Sequence, residues 1–313
     1  MCRVFDPADP AASLEAPDSP FLNRALQAYA VGSVFKPVLA AAALEAGLAP
    51  EYDCNGAVVV DGQIFRCAGG VPHGEVDLSA ALAKSCNGYF IRLGQQLGAQ
   101  ALLQQAQALG FGRSIGLAEG LTAQSGALPG AEELAQSGQL ANFSFGQGSL
   151  LATPLQVAAM MNTIANGGVY RAPCLLDCAL DETSGEELSA FARPQAERVL
   201  TEQTAAALRT MLEQTVAEGT AQDASGLPGG AAGKTGTAQT GQFTAEGKER
   251  MNLWFAGFLP GRGSAIHHRG LAGRTDAGGG LQRGGVCTAV HGTALVGINA
   301  ELCLLFCRWY DTI

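Results

Sequence analysis

The stretch Gly32-Ser33-Val34-Phe35-Lys36-Pro37 decides the fold of this chain. A helical pattern resumes after the glycine and continues through Ala46, so Ser33 is predicted to begin a buried helix. Pro37 fits there because the first N–H groups of a helix have no partner within the helix. Ser33 and Lys36 are three positions apart, which places both side chains on one helix face within hydrogen-bonding reach. The stretch therefore supplies a hydroxyl nucleophile with an amine beside it.

Two further segments, Ser85-Cys86-Asn87 and Lys234-Thr235-Gly236, complete a set of three motifs. The chain contains one S-x-x-K, one S-x-N and one K-T-G, in that order, and it has only four lysines. Each of these motifs alone is weak evidence for a function, because such short patterns arise by chance. The ordered set supplies what acyl transfer through a serine ester requires.

A proton-transfer role is predicted for three of these side chains. Lys36 can take the proton of Ser33 only if its pKa falls, which burial and a second cation would both achieve. Lys234 is the natural second cation. Ser85 can then pass a proton to the leaving group.

The remaining motif residues are predicted to bind the substrate. Asn87 can orient a substrate amide, because its side chain both donates and accepts hydrogen bonds. Backbone N–H groups of Ser33 and Thr237 would form the oxyanion hole. A substrate carboxylate would lie against the strand that carries Lys234, with Thr235, Gly236 and Thr237 as the other substrate-binding residues.

Residues 19–260 resemble the transpeptidase domain of a penicillin-binding protein, of the class B, monofunctional type. Besides the three motifs, the resemblance rests on four stretches: Asn23-Arg24-Ala25-Leu26, Gly32 to Pro37, Gly146-Gln147-Gly148 and Thr153-Pro154-Leu155-Gln156-Val157-Ala158. It implies an α/β (α+β) fold like that of serine β-lactamases, with an antiparallel sheet flanked by helices and an all-helical subdomain.

The resemblance also implies an activity, partners and a location. The acyl donor would be a peptidoglycan stem peptide ending in D-alanyl-D-alanine, and β-lactam antibiotics would acylate Ser33. Family members work with the cell-division or elongation machinery, at the extracytoplasmic face of the cell membrane. No cofactor and no metal are expected.

Two parts of the chain depart from the family pattern. Residues 1–18, rich in proline, are interpreted as an irregular leader that remains from a truncated upstream region, because members of this class carry an anchor and a pedestal domain there. Residues 261–313 match neither the last strand nor the C-terminal helix of the family. We expect an atypical tail, with disorder or a frame shift as the hypothesis.

Local patterns predict the main elements. In the first half of the chain we expect a helical stretch from Leu22 that breaks at Gly32, a hairpin at 56–66 with its turn at Asp61-Gly62, and a helical region Val76–Leu109 interrupted at the second motif. In the second half we expect one helix that begins at Thr153-Pro154 and another that spans Thr201–Ala217. Two adjacent antiparallel strands, Gly233–Thr240 and Asn252–Pro260, follow.

Composition fits a globular protein and excludes one class of partner. The 313 residues are 47% hydrophobic and carry a formal charge of −9. Nucleic-acid binding needs clustered lysine and arginine, which this chain lacks. No run of eighteen apolar residues occurs, and the first residues lack the apolar core of a signal peptide.

The cysteines show no zinc-like spacing, although there are nine of them. Most are interpreted as free thiols, Cys86 as a small packed side chain, and His73 as structural. The predicted hairpin would bring Cys54 and Cys67 close together, so a disulfide is geometrically feasible in an oxidising compartment. The residues alone allow either a disulfide or two free thiols.

Two other sequence patterns compete with acyl transfer by a transpeptidase. The segment before Lys234 imitates a phosphate-binding loop, but Pro228 replaces the glycine that this loop requires. Gly112-Arg113-Ser114-Ile115-Gly116 fits a nucleophile elbow, but a predicted helix precedes it, so we interpret it as a turn.

Three alternative functions are also compatible with the resemblance to this family. A serine β-lactamase would need a deacylating glutamate in an E-x-x-L-N segment, whereas the chain offers only Glu132-Glu133-Leu134. A D,D-carboxypeptidase shares the opening chemistry. A non-catalytic remnant of the fold is the alternative of another class.

Overall fold

The computed structural model describes most of the chain between residues 22 and 259 and one later strand. The described residues are 11, 22–176, 178–180, 187–191, 193–227, 230–259 and 303–310. The predicted leader, apart from residue 11, and the part of the predicted tail from 261 to 302 lie outside them. None of the helices among the described residues has the length and apolar character needed to cross a membrane.

Seven α-helices and fifteen strands occur among the described residues. The helices are α1 Lys36–Glu45, α2 Leu78–Ala83, α3 Asn87–Ala108, α4 Ala131–Leu134, α5 Ser137–Ser144, α6 Pro154–Ala165 and α7 Glu202–Ala217. The strands are β1 Tyr29–Ala30, β2 Tyr52–Cys54, β3 Ala57–Val60, β4 Gln63–Arg66, β5 Gly74–Val76, β6 Ile115–Ala118, β7 Leu121–Ala123, β8 Leu151–Ala152, β9 Val169–Arg171, β10 Cys178–Leu180, β11 Glu187–Ala190, β12 Ala196–Arg198, β13 Ala232–Phe243, β14 Glu249–Phe258 and β15 Cys303–Tyr310.

The main sheet is antiparallel, with the strand order β13-β14-β15. Lys234 pairs with Ala256 across the first ladder, and Phe255 pairs with Phe306 across the second. Strands β13 and β14 confirm the two strands expected from the sequence. The third strand, β15, belongs to the segment that was predicted to match no strand of the family, so the sheet extends beyond the part that the sequence pattern indicated.

Helices cover this sheet, as the resemblance implied. Helix α7 packs on β13, and α6 packs on β14 and β15. Helix α1 lies between α7 and α3, and its residues from Lys36 to Ala43 are all buried. The small side chains of the alanines in α1 allow α3 and α7 to pack closely against it. The second region, built around α3 and α5, is helical and also carries the two-stranded sheets β2-β5 and β3-β4, whereas β6-β7 packs beside the 3-10 turn at Arg24–Leu26.

The helical stretch predicted from Leu22 is wrong. A 3-10 turn at Arg24–Leu26 is followed by the short strand β1, which pairs with β8. Side chains of the main sheet fix this extended conformation, because Asn252 Nδ2 and Trp254 Nε1 both donate to the Ala30 carbonyl at 3.2 and 2.9 Å. These long-range contacts outweigh the local helical preference.

The predicted hairpin is confirmed as β3-β4. Asp61 and Gly62 at its turn both have positive φ, 47° and 78°, as a two-residue turn of this kind requires. The hairpin brings Cys54 and Cys67 together, with their sulfurs 3.6 Å apart. Both are free thiols in this structure, so the proximity is confirmed and no bond joins them.

Helix boundaries expected from capping residues are also confirmed. Thr153 caps α6 through a reciprocal capping box with Gln156, and Pro154 occupies the first turn. The Thr201 side chain accepts a hydrogen bond at the start of α7. The predicted interruption near residue 85 is the short connection between α2 and α3, which places the second motif at the start of α3.

Candidate active site

Ser33 lies in a 3-10 turn, Gly32–Phe35, that leads directly into α1. Gly32 has a φ of +59°, and its N–H donates to the Gly146 carbonyl at 2.9 Å. A Cβ atom on Gly32 would lie 2.5 Å from the Thr237 carbonyl oxygen of β13. Glycine at this position therefore lets the turn that carries Ser33 approach the strand of the third motif.

The Lys36 amine joins the first motif to the second. Its Nζ donates to the Ser85 carbonyl at 2.7 Å, to Ser85 Oγ at 3.1 Å and to Asn87 Oδ1 at 2.7 Å. The Phe90 ring centroid lies 5.5 Å from the same nitrogen. Within the described part of the chain, no hydrogen bond joins Lys36 to the Ser33 hydroxyl, so the amine is held at the second motif in this conformation.

The backbone conformation of Ser85 allows both its carbonyl oxygen and its hydroxyl oxygen to accept from Lys36. It is one of two non-glycine residues with positive φ in the described part of the chain, at 55°. This left-handed conformation is disfavoured for a side chain with a Cβ atom. It turns the Ser85 carbonyl and hydroxyl toward one amine.

Asn87 uses both ends of its side-chain amide. Its oxygen accepts from Lys36, and its nitrogen donates to the Arg66 carbonyl at 2.8 Å. One lone pair and one N–H remain, so the side chain can still contact a substrate amide.

Lys234 is fully buried, and its neighbours include a residue that the motifs do not contain. Its Nζ donates to the Thr235 carbonyl at 3.0 Å and to Thr220 Oγ1 at 3.4 Å. The Thr235 hydroxyl donates to the same Thr220 oxygen at 2.7 Å. Thr220 follows the end of α7, and no local pattern marks it, because only the fold brings it to β13.

Burial lowers the pKa of both Lys36 and Lys234. Removal from water lowers the pKa of Lys36 to about 7. Burial also lowers the pKa of Lys234 well below its usual value, and the positive charge of Lys36 lowers it further. The two amines are therefore close enough to influence one another. At neutral pH Lys36 exchanges between a protonated form, which can make all three hydrogen bonds, and a neutral form, which has two N–H donors and one lone pair.

The third motif approaches Ser33 along one edge of β13. The Thr237 carbonyl points toward Gly32, and Gln147 Nε2 donates to it at 3.5 Å. The N–H and C=O of one strand residue point to the same side of the strand, so the Thr237 N–H also faces the 3-10 turn. A Cβ on Gly236 would lie 2.9 Å from the Val31 carbonyl, so this glycine also permits the approach.

The local structure does not fit a phosphate-binding loop at Lys234 or a nucleophile elbow at Gly112–Gly116. Residues after Lys234 continue as strand β13, whereas a phosphate-binding loop requires a helix there. The Gly112–Gly116 segment connects α3 to β6, which is the reverse of the strand–turn–helix order of a nucleophile elbow. Glu133 lies in α4, where its carboxylate accepts from Ser149 Oγ at 2.8 Å.

The first motif with its buried Lys36, the second motif at the start of α3 and the Lys-Thr-Gly strand β13 thus meet in one place. The family model for the penicillin-binding protein transpeptidase domain matches residues 4–268. The chain belongs to this family.

Curated relatives include two longer proteins. Stage V sporulation protein D of Bacillus subtilis is 32% identical over 269 residues, which are 82% of this chain and 40% of that protein. Peptidoglycan D,D-transpeptidase PbpA of Mycolicibacterium smegmatis is 33% identical over 253 residues, 78% of this chain and 50% of that protein. The chain thus spans half or less of the length of these relatives.

Solved structures of the same family are similar in fold. Penicillin-binding protein A from M. tuberculosis, as a ceftriaxone acyl-enzyme complex, has a TM-score of 0.70 and 30% identity, covering 82% of this chain and 58% of that one. The D,D-transpeptidase domain of a peptidoglycan glycosyltransferase from Eggerthella lenta has a TM-score of 0.69 and 29% identity, covering 80% and 62%.

Proposed function

We propose that this chain is a peptidoglycan D,D-transpeptidase that works through a serine acyl-enzyme. The observation that carries this proposal is the buried Lys36 amine, whose pKa is lowered to about 7 and which is held by Ser85 and Asn87. A buried neutral amine is the base that a serine nucleophile needs at neutral pH. The donor is a stem peptide ending in D-alanyl-D-alanine, so we expect the domain to act at the extracytoplasmic face, where peptidoglycan lies.

In the first step, Ser33 Oγ attacks the carbonyl of the penultimate D-alanine. Lys36 takes the hydroxyl proton, and the negative oxygen is stabilised by N–H groups of Ser33 and Thr237, each worth about 3 kcal/mol. Ser85 Oγ, which lies 3.1 Å from Lys36 Nζ, gives its proton to the departing D-alanine and regains one from Lys36. An ester on Ser33 and free D-alanine result.

In the second step, an amine of another stem peptide replaces D-alanine at the ester carbonyl. Lys36 and Ser85 now carry the amine proton back to Ser33, so the enzyme returns to its starting state. Thr235, Gly236 and Thr237 line the strand where the donor peptide would lie, and the buried Lys234 amine lies behind it, bonded to Thr220 and Thr235. The contact of Glu133 with Ser149 gives no support to a water-activating glutamate, and hence none to a β-lactamase.

A fluorescent penicillin followed by peptide mass mapping tests the proposal. We expect one stable adduct per chain, on the peptide that contains Ser33, with the Ser33→Ala variant as the blank. Folded protein without an adduct would favour a non-catalytic remnant, and rapid release of the hydrolysed drug would favour a β-lactamase. A donor peptide ending in D-alanyl-D-alanine, given with an amine acceptor, should then yield the new amide together with D-alanine.

Acylation should depend on pH through Lys36. Below about pH 7 the amine is protonated and cannot take the Ser33 proton, so we expect the acylation rate to fall about tenfold per pH unit there. Above about pH 7 the amine is neutral and the rate should level off. Stopped-flow acylation by penicillin between about pH 5.5 and 9 measures this. A rate that is constant from about pH 6 to 8, in protein whose melting temperature is unchanged, would contradict the assignment of Lys36 as the base.

A further inference from the structure

Three cysteines and a histidine converge in one pocket beside the second motif. Cys54 ends β2, Cys67 follows β4, His73 precedes β5, and Cys86 caps the start of α3. One ligand atom from each residue lies within 4.8 Å of every other. The cysteines are buried and His73 is half-buried. The sequence predicted no metal, because it contains no zinc-like pairing of cysteines and no H-E-x-x-H pattern; these four residues are 13, 6 and 13 positions apart.

The separations match a tetrahedral metal. Cys54 Sγ lies 3.6 Å from Cys67 Sγ and 3.4 Å from His73 Nδ1, and Cys67 Sγ lies 3.9 Å from Cys86 Sγ. Zinc–sulfur bonds of about 2.3 Å and zinc–nitrogen bonds of about 2.0 Å in a tetrahedron place sulfurs about 3.8 Å apart and sulfur and nitrogen about 3.5 Å apart. These three separations, with all four ligand atoms within 4.8 Å of one another, fit four ligands around one small ion.

A disulfide explains the cluster less well. A sulfur–sulfur bond is about 2.05 Å long, and it would use two of the three thiols while leaving the third thiol and His73 without a role. Three thiolates with one imidazole form a complete ligand set for structural zinc. Sulfur ligands also exclude magnesium and calcium, which prefer oxygen.

We propose that Cys54, Cys67, His73 and Cys86 bind one structural zinc ion. Four protein ligands close the coordination shell, so the ion would hold the fold together and would not activate water. Soft transition metals of similar preference, such as cobalt(II), would occupy the same site.

Neighbouring groups are placed to support such ligands. The backbone N–H of Tyr89 donates to Cys86 Sγ at 3.5 Å. Lys84 Nζ donates to the carbonyl of His73 at 3.1 Å, which fixes the loop of that ligand. Hydrogen bonds of this kind orient metal ligands and disperse the charge of thiolates.

The ion would tie the second motif to the hairpin. Cys86 stands between Ser85 and Asn87, and the carbonyl of Arg66, the residue before Cys67, accepts from the Asn87 side chain. One ion would therefore fix, at a single point, the strands β2 and β4 and the start of α3. This makes it a positioning site for two residues that hold Lys36.

Metal analysis of the full chain tests the proposal. Protein is reduced, supplied with zinc, dialysed, and measured by elemental mass spectrometry, with an expected content of one zinc per chain. Cobalt(II) in place of zinc should give thiolate charge-transfer absorption and the strong visible bands of a tetrahedral ion, which can be read on the unmutated chain. Cys67→Ser and His73→Ala should each lower the zinc content at least about tenfold at fixed free zinc. Cys174→Ser, a free thiol outside the cluster, is the matched control and should keep its zinc.

Four outcomes would overturn the proposal. They are a zinc content below about a tenth of an equivalent in reduced, folded protein, an octahedral cobalt spectrum without sulfur absorption, an equal loss of zinc from the Cys174→Ser control, and a disulfide among Cys54, Cys67 and Cys86 that persists in protein isolated with zinc. The readouts are metal content and spectra, so they do not depend on whether Ser33 reacts with penicillin.

Discussion

The Lys36→Met variant is expected to react with penicillin about 10³- to 10⁴-fold more slowly than the unmodified chain. Methionine has a similar length and fits a buried site, but it cannot take a proton from Ser33. The lost bonds to Ser85 and Asn87 also leave the second motif without its shared partner. The acylation rate, measured with a fluorescent penicillin at about pH 8, gives the effect, and the melting temperature reports on folding.

Lys248→Met is the matched control for this variant. Lys248 is exposed, in the turn between β13 and β14, so its replacement should change the acylation rate by less than about twofold. A Lys36→Met protein that stays folded and loses less than about tenfold in rate would show that another group takes the proton of Ser33.

The Gly32→Ala variant is expected to lose both stability and reactivity. At a φ of +59°, alanine costs about 1–2 kcal/mol, and its Cβ would meet the Thr237 carbonyl oxygen at 2.5 Å. That oxygen is backbone of the main sheet and cannot rotate away, so we expect the free energy of unfolding to fall by about 3 kcal/mol or more. Movement of the turn away from β13 would also separate Ser33 from Thr237, which should slow acylation of the folded protein about 100-fold.

The Gly47→Ala variant separates the cost of positive φ from the cost of the steric contact with Thr237. Gly47 has a nearly equal φ, +65°, but a Cβ atom there would meet nothing within 4 Å. We expect a loss of about 1 kcal/mol and an unchanged acylation rate. Urea unfolding of both variants measures the difference. Equal losses of stability in the two variants would show that the close approach to Thr237 is not what requires glycine at position 32.

The sequence predicted those parts of the fold that local chemistry determines. Thr153 and Pro154 mark the start of α6 because a capping side chain and a fixed φ act within one turn. Asp61 and Gly62 mark the hairpin because few other residues accept positive φ in succession. The motif lysines, Lys36 and Lys234, were recognisable because the chain contains so few others.

Features that depend on distant contacts were not predictable in the same way. The Ala30 carbonyl accepts from two side chains more than 220 positions away, and this overrode the helical pattern around it. Thr220 reaches Lys234 and Thr235 only because α7 ends beside β13. The pocket of Cys54, Cys67, His73 and Cys86 forms only after a hairpin, a loop and a helix start have met. No single window of the sequence contains any of these.

The left-handed conformation of Ser85 bears on the timing of the acyl transfer proposed above. A flexible serine would adopt the geometry that faces Lys36 only occasionally, and each turnover would wait for it. In this structure the fold already holds the rare conformer, so the carbonyl and hydroxyl of Ser85 face Lys36 without a bound peptide. In the proposed reaction the conformational cost of Ser85 would therefore fall on folding and would not slow each cycle.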